Sequence, residues 1–198
     1  MTLPRIVRVA TSNRHKVEEL RAILVGWPLD VLDGLPPYPP EDEPDYAGNA
    51  RIKARHGRAH AEPDAWVIAE DSGIEVDGLG GEPGVHSARF GGDDPVGRLL
   101  ETLAARGVEG EGRRGRYRAE LVCLLPDGTE LRGSGTLPGH VVHAPAGSEG
   151  FGYDPVFAPE GEERTVAELG NAWKAVESHR SRATRDLLAA ARAAGLVP

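Results

Sequence analysis

Residues 65–79 read AWVIAEDSGIEVDGL, and this stretch decides the fold because its apolar run predicts a buried strand. Two acidic residues stand at the end of that run. The run at 65–69 is continuously apolar, which is typical of a strand covered on both faces of a sheet. We expect the strand to end abruptly at residues 70–73 (EDSG) and extended structure to resume immediately afterwards. Adjacent carboxylates in such a place need an offset for their repulsion and desolvation, so the stretch is also a candidate site.

Strand and helix patterns alternate on the N-terminal side of this stretch. The segment RIVRVA at 5–10 predicts a strand, and the polar residues 11–13 predict a turn that leads into an amphipathic helix. The loop at 34–46 is rich in proline and acidic residues, and it cannot form a helix or a central strand. A second helix is expected over residues 45–61.

Strands dominate the segment that follows. Asp94 and Pro95 predict the start of a helix that Gly107 stops. Beyond it, RYRAELVCLL at 116–125 and TELRGSGTL at 129–137 are joined by Pro-Asp-Gly, which is a strong hairpin signal. The run of strand–helix units around a central hairpin predicts an α/β fold with a mixed sheet.

The C-terminal segment predicts shorter elements and one long helix. HVVHA at 140–144 is expected to form one more strand, and residues 155–157 a short strand inside a long loop. Thr165 and Glu168 have the spacing of a capping box. The last helix is expected over residues 174–194.

Composition narrows the class of protein. A chain of 198 residues is long enough for one domain, or one domain with two lobes. The formal net charge of −8 disfavours binding to a nucleic acid polymer, which requires a basic face. The single cysteine, Cys123, lies in an apolar run and fits a reducing compartment. With no signal peptide and no apolar run of membrane-spanning length, we expect a cytoplasmic protein without a membrane partner.

Lysine is scarce, and each lysine lies in a segment that indicates chemistry. Only Lys16, Lys53 and Lys174 occur among the 23 Lys and Arg residues. A compact ammonium can act where a guanidinium fork cannot, so the three segments suggest one shared anion such as a polyphosphate. The alternative is that three leftover lysines fell there by chance.

The segment TSNRHK at 11–16 predicts an anion site at a helix N-terminus, where free N–H groups and the helix dipole favour phosphate. Thr11, Ser12 and Asn13 form the turn. Lys16 lies in the first helical turn, where a cation opposes the dipole unless an anion is near. The alternative is ordinary N-capping by Ser12 or Asn13.

The carboxylates Glu70 and Asp71 favour a divalent cation, because Mg²⁺ characteristically takes one or two carboxylates together with substrate phosphates. In a strand continuation the two side chains point to opposite sides, so only one of them would face a metal directly. An acidic residue of the 34–46 loop is a further candidate ligand. The alternative for residues 70–73 is a plain turn, since Asp, Ser and Gly are common turn formers.

Two later segments also indicate chemistry, and the first of them suggests recognition of a base. In EGFGYDP, glycines allow close backbone approach, and Phe151 or Tyr153 could stack on a base. The alternative is a structured loop with its aromatic rings tucked inward. In WKAVESHR, Lys174 and the pair His179-Arg180 are expected in the first turns of the last helix. A lone His-Arg pair is more often an ordinary surface feature.

Taken in order, these segments resemble the inosine triphosphate pyrophosphatase family, the non-canonical purine nucleoside triphosphate pyrophosphatases. The matching motifs are TSNRHK, GNARIKA, AEDSGIEVDGLGGEPGVHSARF, EGFGYDPVF with TVAEL, and KAVESHR, which together extend from residue 6 to about 190. The resemblance implies an elongated mixed sheet flanked by helices, with two lobes around a central cleft, as a single pyrophosphatase domain over 1–198 and usually a homodimer. It implies Mg²⁺-dependent hydrolysis of ITP, dITP and XTP to the monophosphate and pyrophosphate.

The resemblance also implies roles for individual residues. Asp71 resembles the proton acceptor, and Glu41 and Asp71, with Glu70 as a further candidate, resemble the metal ligands. Mg²⁺ would bridge them to the phosphates, and pyrophosphate would leave. The implied substrate contacts are Thr11, Ser12, Asn13, Lys16, Lys53, Ser72, Phe151, Gly152, Tyr153, Asp154, Lys174, His179 and Arg180.

The chain departs from the family pattern at two places. The family often has two aspartates where this chain has Glu70 and Asp71, and its Glu-Asn-Ala motif is Gly48-Asn49-Ala50 here. Glu41 is placed as a ligand only by counting back from Asn49. Two rival functions remain: a pyrophosphatase for pyrimidine or modified nucleotides, and a nucleotide-sensing module that binds without turnover.

Overall fold

The computed structural model describes residues 3–197. Within these residues the strands form one six-stranded sheet in the order β2-β1-β3-β4-β5-β6. The strand bounds are β1 Val7–Val9, β2 Leu29–Val31, β3 Trp66–Val76, β4 Arg114–Leu124, β5 Glu130–Val141 and β6 Phe157–Pro159. The α-helices are α1 Arg14–Ile23, α2 Tyr46–Arg58, α3 Pro95–Ala105, α4 Val166–Glu177 and α5 His179–Ala193. The predicted α/β fold with a mixed sheet is therefore confirmed.

Parallel pairing holds the N-terminal edge of the sheet. β1 pairs in parallel with β2 and with β3, and Val9 lies opposite Val31 on one side and Ile68 on the other. Parallel neighbours need crossover connections, and α1 and α2 supply them. At the other edge β5 pairs antiparallel with β6, with Val141 opposite Phe157.

The chain divides into two compact units, each with its own apolar core. Unit 1 comprises the residues up to Asp71, Ala119–Gly135 and the residues from Arg180 onward, and unit 2 comprises Ser72–Arg118 and Thr136–His179. β3, β4 and β5 each contribute residues to both units.

The core of unit 1 has one cluster against α1 and α5 and another against α2. In the first, buried Ile68 of β3 lies with Leu20 of α1 and Leu187 of α5. In the second, Ala50 and Ala54 of α2 pack with the apolar residues of β3 and β4. The core of unit 2 is built from Ile74, Val76, Leu99, Leu103 and Phe157 with their neighbours. Burial on both faces explains why residues 65–69 are apolar without alternation.

Most predicted helix boundaries are confirmed. Asn13, Asp45 and Asp94 are the N-caps of α1, α2 and α3, and each accepts hydrogen bonds from the first turn of its helix. Thr165 and Glu168 form the predicted capping box at the start of α4. No helix among residues 3–197 is long and apolar enough to cross a membrane.

Four expectations about the elements were wrong. β3 does not end at residues 70–73 but runs on to Val76, because both faces of the strand stay buried past the carboxylates. HVVHA does not form a further strand, since β5 extends to Val141. Residues 154–156 form a 3₁₀ turn, and the short strand begins only at Phe157.

The expected long last helix is also wrong, since two helices stand in its place. The backbone at Ser178 is extended, with φ −63° and ψ 160°, and this residue ends α4 just before α5 begins. Lys174 therefore lies in the last turn of α4 and not in the first turn of α5. α4 itself is interrupted at Gly170, whose φ of +86° favours glycine.

Candidate active site

The polar turn before α1 is organised largely by its own hydrogen bonds. The Thr11 hydroxyl accepts from the Asn13 N–H at 3.1 Å, and the Asn13 side chain accepts from the N–H groups of His15 and Lys16. Ser12 is exposed. The capping alternative is thus present in Asn13, and anion binding by this turn stays a prediction.

Lys53 of α2 lies between two carboxylates of unit 1. Its Nζ is 2.7 Å from Glu41 Oε2 in the acidic loop and 2.8 Å from Asp71 Oδ1 on β3. Lys53 and Asp71 are buried, and Glu41 is about one-third exposed, with 35% of its side-chain surface accessible. Residues that are 12 and 18 positions from Lys53 in sequence therefore meet on one ammonium group.

These three groups perturb each other's protonation. Burial raises the pKa of Asp71 above its ordinary value, although the adjacent Lys53 ammonium acts in the opposite direction. Burial also acts to raise the pKa of Glu41, but the hydrogen bond and charge of Lys53 outweigh it, and the net shift is downward. Burial would lower the pKa of Lys53, yet the charge of Asp71 leads the effects that raise it instead. Asp71 is accordingly the better proton acceptor of the two carboxylates.

Glu70 belongs to a different set of contacts from Asp71. Its two carboxylate oxygens accept from Nε and Nη2 of Arg180 at 2.8 and 2.9 Å, and Arg180 Nη1 donates to Glu19 of α1. Lys16 Nζ lies 3.7 Å from Glu70 Oε1. Burial lowers the pKa of Lys16, and the charge of Glu70 offsets part of that effect. The two carboxylates have different partners, as alternation along a strand requires.

We call the unit 1 residues of these two sets the charged cluster: Lys16, Glu19, Glu41, Lys53, Glu70, Asp71 and Arg180. In this cluster Arg180 directs all three of its guanidinium nitrogens at carboxylates, and Glu70 receives two of them. The roles of Arg180 as a substrate contact and of Glu70 as a metal ligand stay predictions. In the structure the two residues form a buried ion pair with each other.

The charged cluster suits a hard cation. No group of three or more His, Cys, Asp or Glu side chains within residues 3–197 is arranged to hold a metal ion. Glu41 and Asp71, however, each direct an oxygen at one cation, the Lys53 ammonium, so the two carboxylates already converge. Two carboxylates with the remaining positions filled by water and phosphate oxygens is the donor set that Mg²⁺ prefers.

In unit 2 the hydrogen bonds converge on Asp154. This buried carboxylate accepts from Lys174 Nζ at 2.6 Å, from the Phe151 N–H at 2.8 Å and from the Tyr117 hydroxyl at 3.2 Å. The Lys174 ammonium also lies over the Phe151 ring, 4.6 Å from its centroid. Gly150 has a φ of +79°, and a Cβ there would lie 2.2 Å from Asp154 Oδ2, so glycine permits this close approach.

Tyr117 is the residue of this set that sequence reasoning missed. Its ring stacks on His179 with centroids 4.6 Å apart and an interplanar angle of 13°. A tyrosine at a buried strand position is indistinguishable in sequence from a core residue, so only the fold reveals it. We call Tyr117, Phe151, Asp154, Lys174 and His179 of unit 2 the aromatic cluster.

The remaining predicted contacts have ordinary surroundings. Tyr153 is buried and its hydroxyl donates to the Ser87 carbonyl at 2.8 Å, which is the inward-tucked alternative, whereas Phe151 is half-buried. Gly152 is exposed, and Ser72 is half-buried on β3. The structure thus places the other predicted site residues in the charged cluster, the aromatic cluster or the turn before α1, and Ser72, Gly152 and Tyr153 outside all of them.

The fold and the two clusters define a class: an α/β protein with buried lysines and carboxylates suited to a metal and an anionic ligand. The chain belongs to the Ham1 family, whose sequence profile matches residues 7–190. It is 45% identical to the dITP/XTP pyrophosphatase of Symbiobacterium thermophilum, with 92% of each chain covered.

Solved structures agree with this membership. A HAM1 protein from Coxiella burnetii superposes with a TM-score of 0.78 at 28% identity, covering 94% of this chain and 96% of that one. A nucleoside-triphosphatase / dITP/XTP pyrophosphatase from Mycobacterium abscessus gives a TM-score of 0.70 at 37% identity, covering 91% and 96%. The predicted family and fold are therefore confirmed.

Proposed function

We propose that this protein hydrolyses non-canonical purine nucleoside triphosphates (dITP, ITP and XTP) to the nucleoside monophosphate and pyrophosphate. Relatives that align with nearly the full chain are named dITP/XTP pyrophosphatase, which supports this activity. The proposal includes Mg²⁺ as cofactor, a single domain of two lobes, a homodimer and a cytoplasmic location. The negative net charge of −8 supports a small ligand over a nucleic acid polymer.

The observation that carries the proposal is the meeting of Glu41 and Asp71 on the Lys53 ammonium. These carboxylates would hold the metal ion, which when bound would neutralise charge on the phosphate oxygens. The Lys53 ammonium would then donate to a phosphate oxygen of the substrate. Lys16 and the N-terminus of α1 would bind further phosphate oxygens.

Asp71 is the proposed proton acceptor for the attacking water. Its raised pKa suits a general base near neutral pH, because a more basic carboxylate accepts a proton more readily. Attack at the α-phosphorus would release pyrophosphate, whose charge Lys16 and Lys53 would stabilise. Such phosphoryl chemistry depends mainly on positioning and on charge stabilisation.

The aromatic cluster is the proposed base site. Phe151 is half-buried and would stack on the purine. The Lys174 ammonium donates to Asp154 and would also donate to an oxo group on the base. Adenine presents an amino donor at that edge, and leaving a buried donor unpaired costs about 1–3 kcal/mol, so adenine nucleotides would be discriminated against.

A substrate panel tests the proposal directly. The purified protein is incubated with Mg²⁺ and ITP, dITP, XTP, ATP, GTP or a pyrimidine triphosphate, and released pyrophosphate and monophosphate are quantified. We expect efficient release from ITP, dITP and XTP and little from ATP. Preference for a pyrimidine nucleotide, or tight ITP binding without cleavage, would instead favour one of the two rival functions.

A further inference from the structure

The acidic loop that carries Glu41 contacts α2 at several side chains, and one of them, the buried Asn49, bonds the loop backbone on both sides of a single residue. The loop over residues 34–45 has no helix or strand, so its path depends on its contacts. Asn49 of α2 is 1% exposed, and its side-chain oxygen accepts from the Glu43 N–H at 3.1 Å. The Asn49 amide nitrogen lies 3.4 Å from the Glu43 carbonyl, so one amide pairs with both backbone groups of one loop residue.

Gly48 allows the loop to lie this close to the helix. A Cβ added at Gly48 would lie 2.6 Å from Glu43 Cβ and 2.8 Å from Glu43 Cγ, distances at which the loop would have to shift. Asp45 separately accepts from the Gly48 N–H at 2.7 Å as the N-cap of α2. Capping is therefore already supplied by Asp45, and the buried Asn49 amide is an additional contact.

The same amide reaches the second candidate metal ligand. Asn49 Nδ2 lies 3.5 Å from Asp71 Oδ2, while Glu41, two residues before Glu43, meets Asp71 through Lys53. One side chain thus contacts the loop that carries Glu41 and the strand residue Asp71. Outer residues that orient ligands in this way commonly change metal affinity by about 10- to 100-fold when they are removed.

We propose that Asn49, with Gly48, is a positioning residue that clamps the acidic loop so that Glu41 and Asp71 face one divalent cation. The role of the cation rests on the proposed function, whereas the clamp itself is a property of the folded, metal-free chain. Asn49 and Gly48 contact neither substrate nor metal in this proposal; they act through Glu43, Glu41 and Asp71.

The first test measures the clamp without metal. Hydrogen exchange of the acidic loop is followed in the metal-free wild type, in Asn49→Ala and in Arg51→Met. The control removes the three hydrogen bonds that Arg51, a side chain of the same helix, donates to Glu130 of β5 and not to the loop. We expect about tenfold faster exchange at Glu43 in Asn49→Ala and in no other variant of this set, because the Glu43 N–H loses its acceptor. Equal exchange at Glu43 in the wild type and Asn49→Ala would overturn the clamp.

The second test measures positioning through the affinity for Mn²⁺ alone, followed by electron paramagnetic resonance of the free ion. We expect about tenfold weaker binding in Asn49→Ala and little change in Arg51→Met. Faster loop exchange with unchanged Mn²⁺ affinity would overturn the positioning role, since the contact would then be only structural.

Gly48→Ala separates positioning from stability and keeps every hydrogen-bonding group. Alanine favours helix more than glycine does, so a loss of Mn²⁺ affinity in this variant would not come from a weakened α2. The clamp predicts weaker Mn²⁺ binding by about the same tenfold factor, because the added Cβ displaces Glu43. If the wild type binds Mn²⁺ and the variants bind it more weakly but no triphosphate is cleaved, the proposed function fails and the clamp stands.

Discussion

The charged cluster of unit 1 and the aromatic cluster of unit 2 solve the problem of buried charge differently. In the charged cluster, cations and carboxylates alternate, so that Lys53 has two carboxylate partners and Arg180 has two more. In the aromatic cluster, Lys174 and Asp154 form one buried ion pair, and aromatic rings surround it. The first arrangement depends on several charges that satisfy one another, and the second on one ammonium and two neutral donors around a single carboxylate.

The difference indicates what each cluster can exchange. Lys16 and Lys53 are paired with carboxylates in the structure. When a metal ion and a polyphosphate bind, phosphate oxygens would take the place of these carboxylates as partners of the two lysines. Asp154 already has three donors, so it would keep its place while a flat, neutral group meets Phe151. Under the proposed function, residues of unit 1 would therefore govern turnover, and residues of unit 2 would govern which base is accepted.

Removing one carboxylate from each cluster should give the largest contrast. Asp71→Asn should lower kcat for ITP roughly 10²–10⁴-fold, since the proposed general base and a proposed metal-binding oxygen are lost together. Asp154→Asn should mainly raise KM and weaken the preference for ITP over ATP, because Lys174 loses its anchor. Steady-state kinetics with pyrophosphate detection measure both, and Asp127→Asn in the exposed β4–β5 turn is the matched control. Near-wild-type kcat in Asp71→Asn would contradict its assigned role.

Removing one cation from each cluster should separate their contributions to stability. Arg180→Met leaves Glu70 and Glu19 without their guanidinium partner, and breaking such a buried pair costs about 3–5 kcal/mol of unfolding free energy. Lys174→Met should cost less, about 1–3 kcal/mol, because Tyr117 and the Phe151 N–H still donate to Asp154. Urea unfolding monitored by circular dichroism gives both values.

A double variant supplies the control for this stability comparison. In Arg180→Met/Glu70→Gln the carboxylate that lost its guanidinium partner is replaced by a neutral amide. Part of the lost unfolding free energy should therefore return. A double variant no more stable than Arg180→Met would mean that the loss comes from packing of the Arg180 stem and not from the charge.

The sequence predicted local structure well where a residue's own chemistry determines it. Asn13, Asp45, Asp94 and the capping box at Thr165 all mark helix starts, because a cap needs only a side chain and the next turn. The errors occurred where tertiary burial overrides local signals. β3 continues through residues 70–73, although these residue types favour a turn. It can do so because the carboxylates of Glu70 and Asp71 form ion pairs with Arg180 and Lys53.

The candidate site was predictable in membership but not in pairing. The motif resemblance assigned Glu41, Lys53 and Asp71 to one site. Nothing in the sequence indicates that the Lys53 ammonium bonds both carboxylates. Likewise no sequence pattern indicates that Arg180 pairs with Glu70, which lies 110 positions away. Such partners depend on chain topology, and Tyr117 was missed for the same reason.

Replacing lysine by arginine should sharpen the contrast between the clusters by a smaller factor. Lys16→Arg and Lys53→Arg keep the charge but place a planar fork where a compact ammonium is buried among carboxylates. We expect about a tenfold loss of kcat/KM for each, or about 1.4 kcal/mol in the transition state. Lys174→Arg should instead change the ITP-to-ATP preference. Wild-type kinetics in all three variants would show that the lysines have no special role.

The smallest expected effect is a shift in pH dependence within unit 1. Burial lowers the pKa of Lys16 below its ordinary 10.5, whereas the charge of Asp71 leads the effects that raise that of Lys53. As pH rises through the lowered pKa, Lys16 loses its charge, so KM for ITP should rise there. In the same range the unfolded chain holds more protons at this lysine than the folded one, so its contribution to stability should increase with pH. Lys16→Arg should remove the rise in KM because a guanidinium stays charged, and Lys53→Arg should leave it in place. A KM profile of Lys16→Arg that rises in parallel with the wild type would assign the alkaline loss to another group.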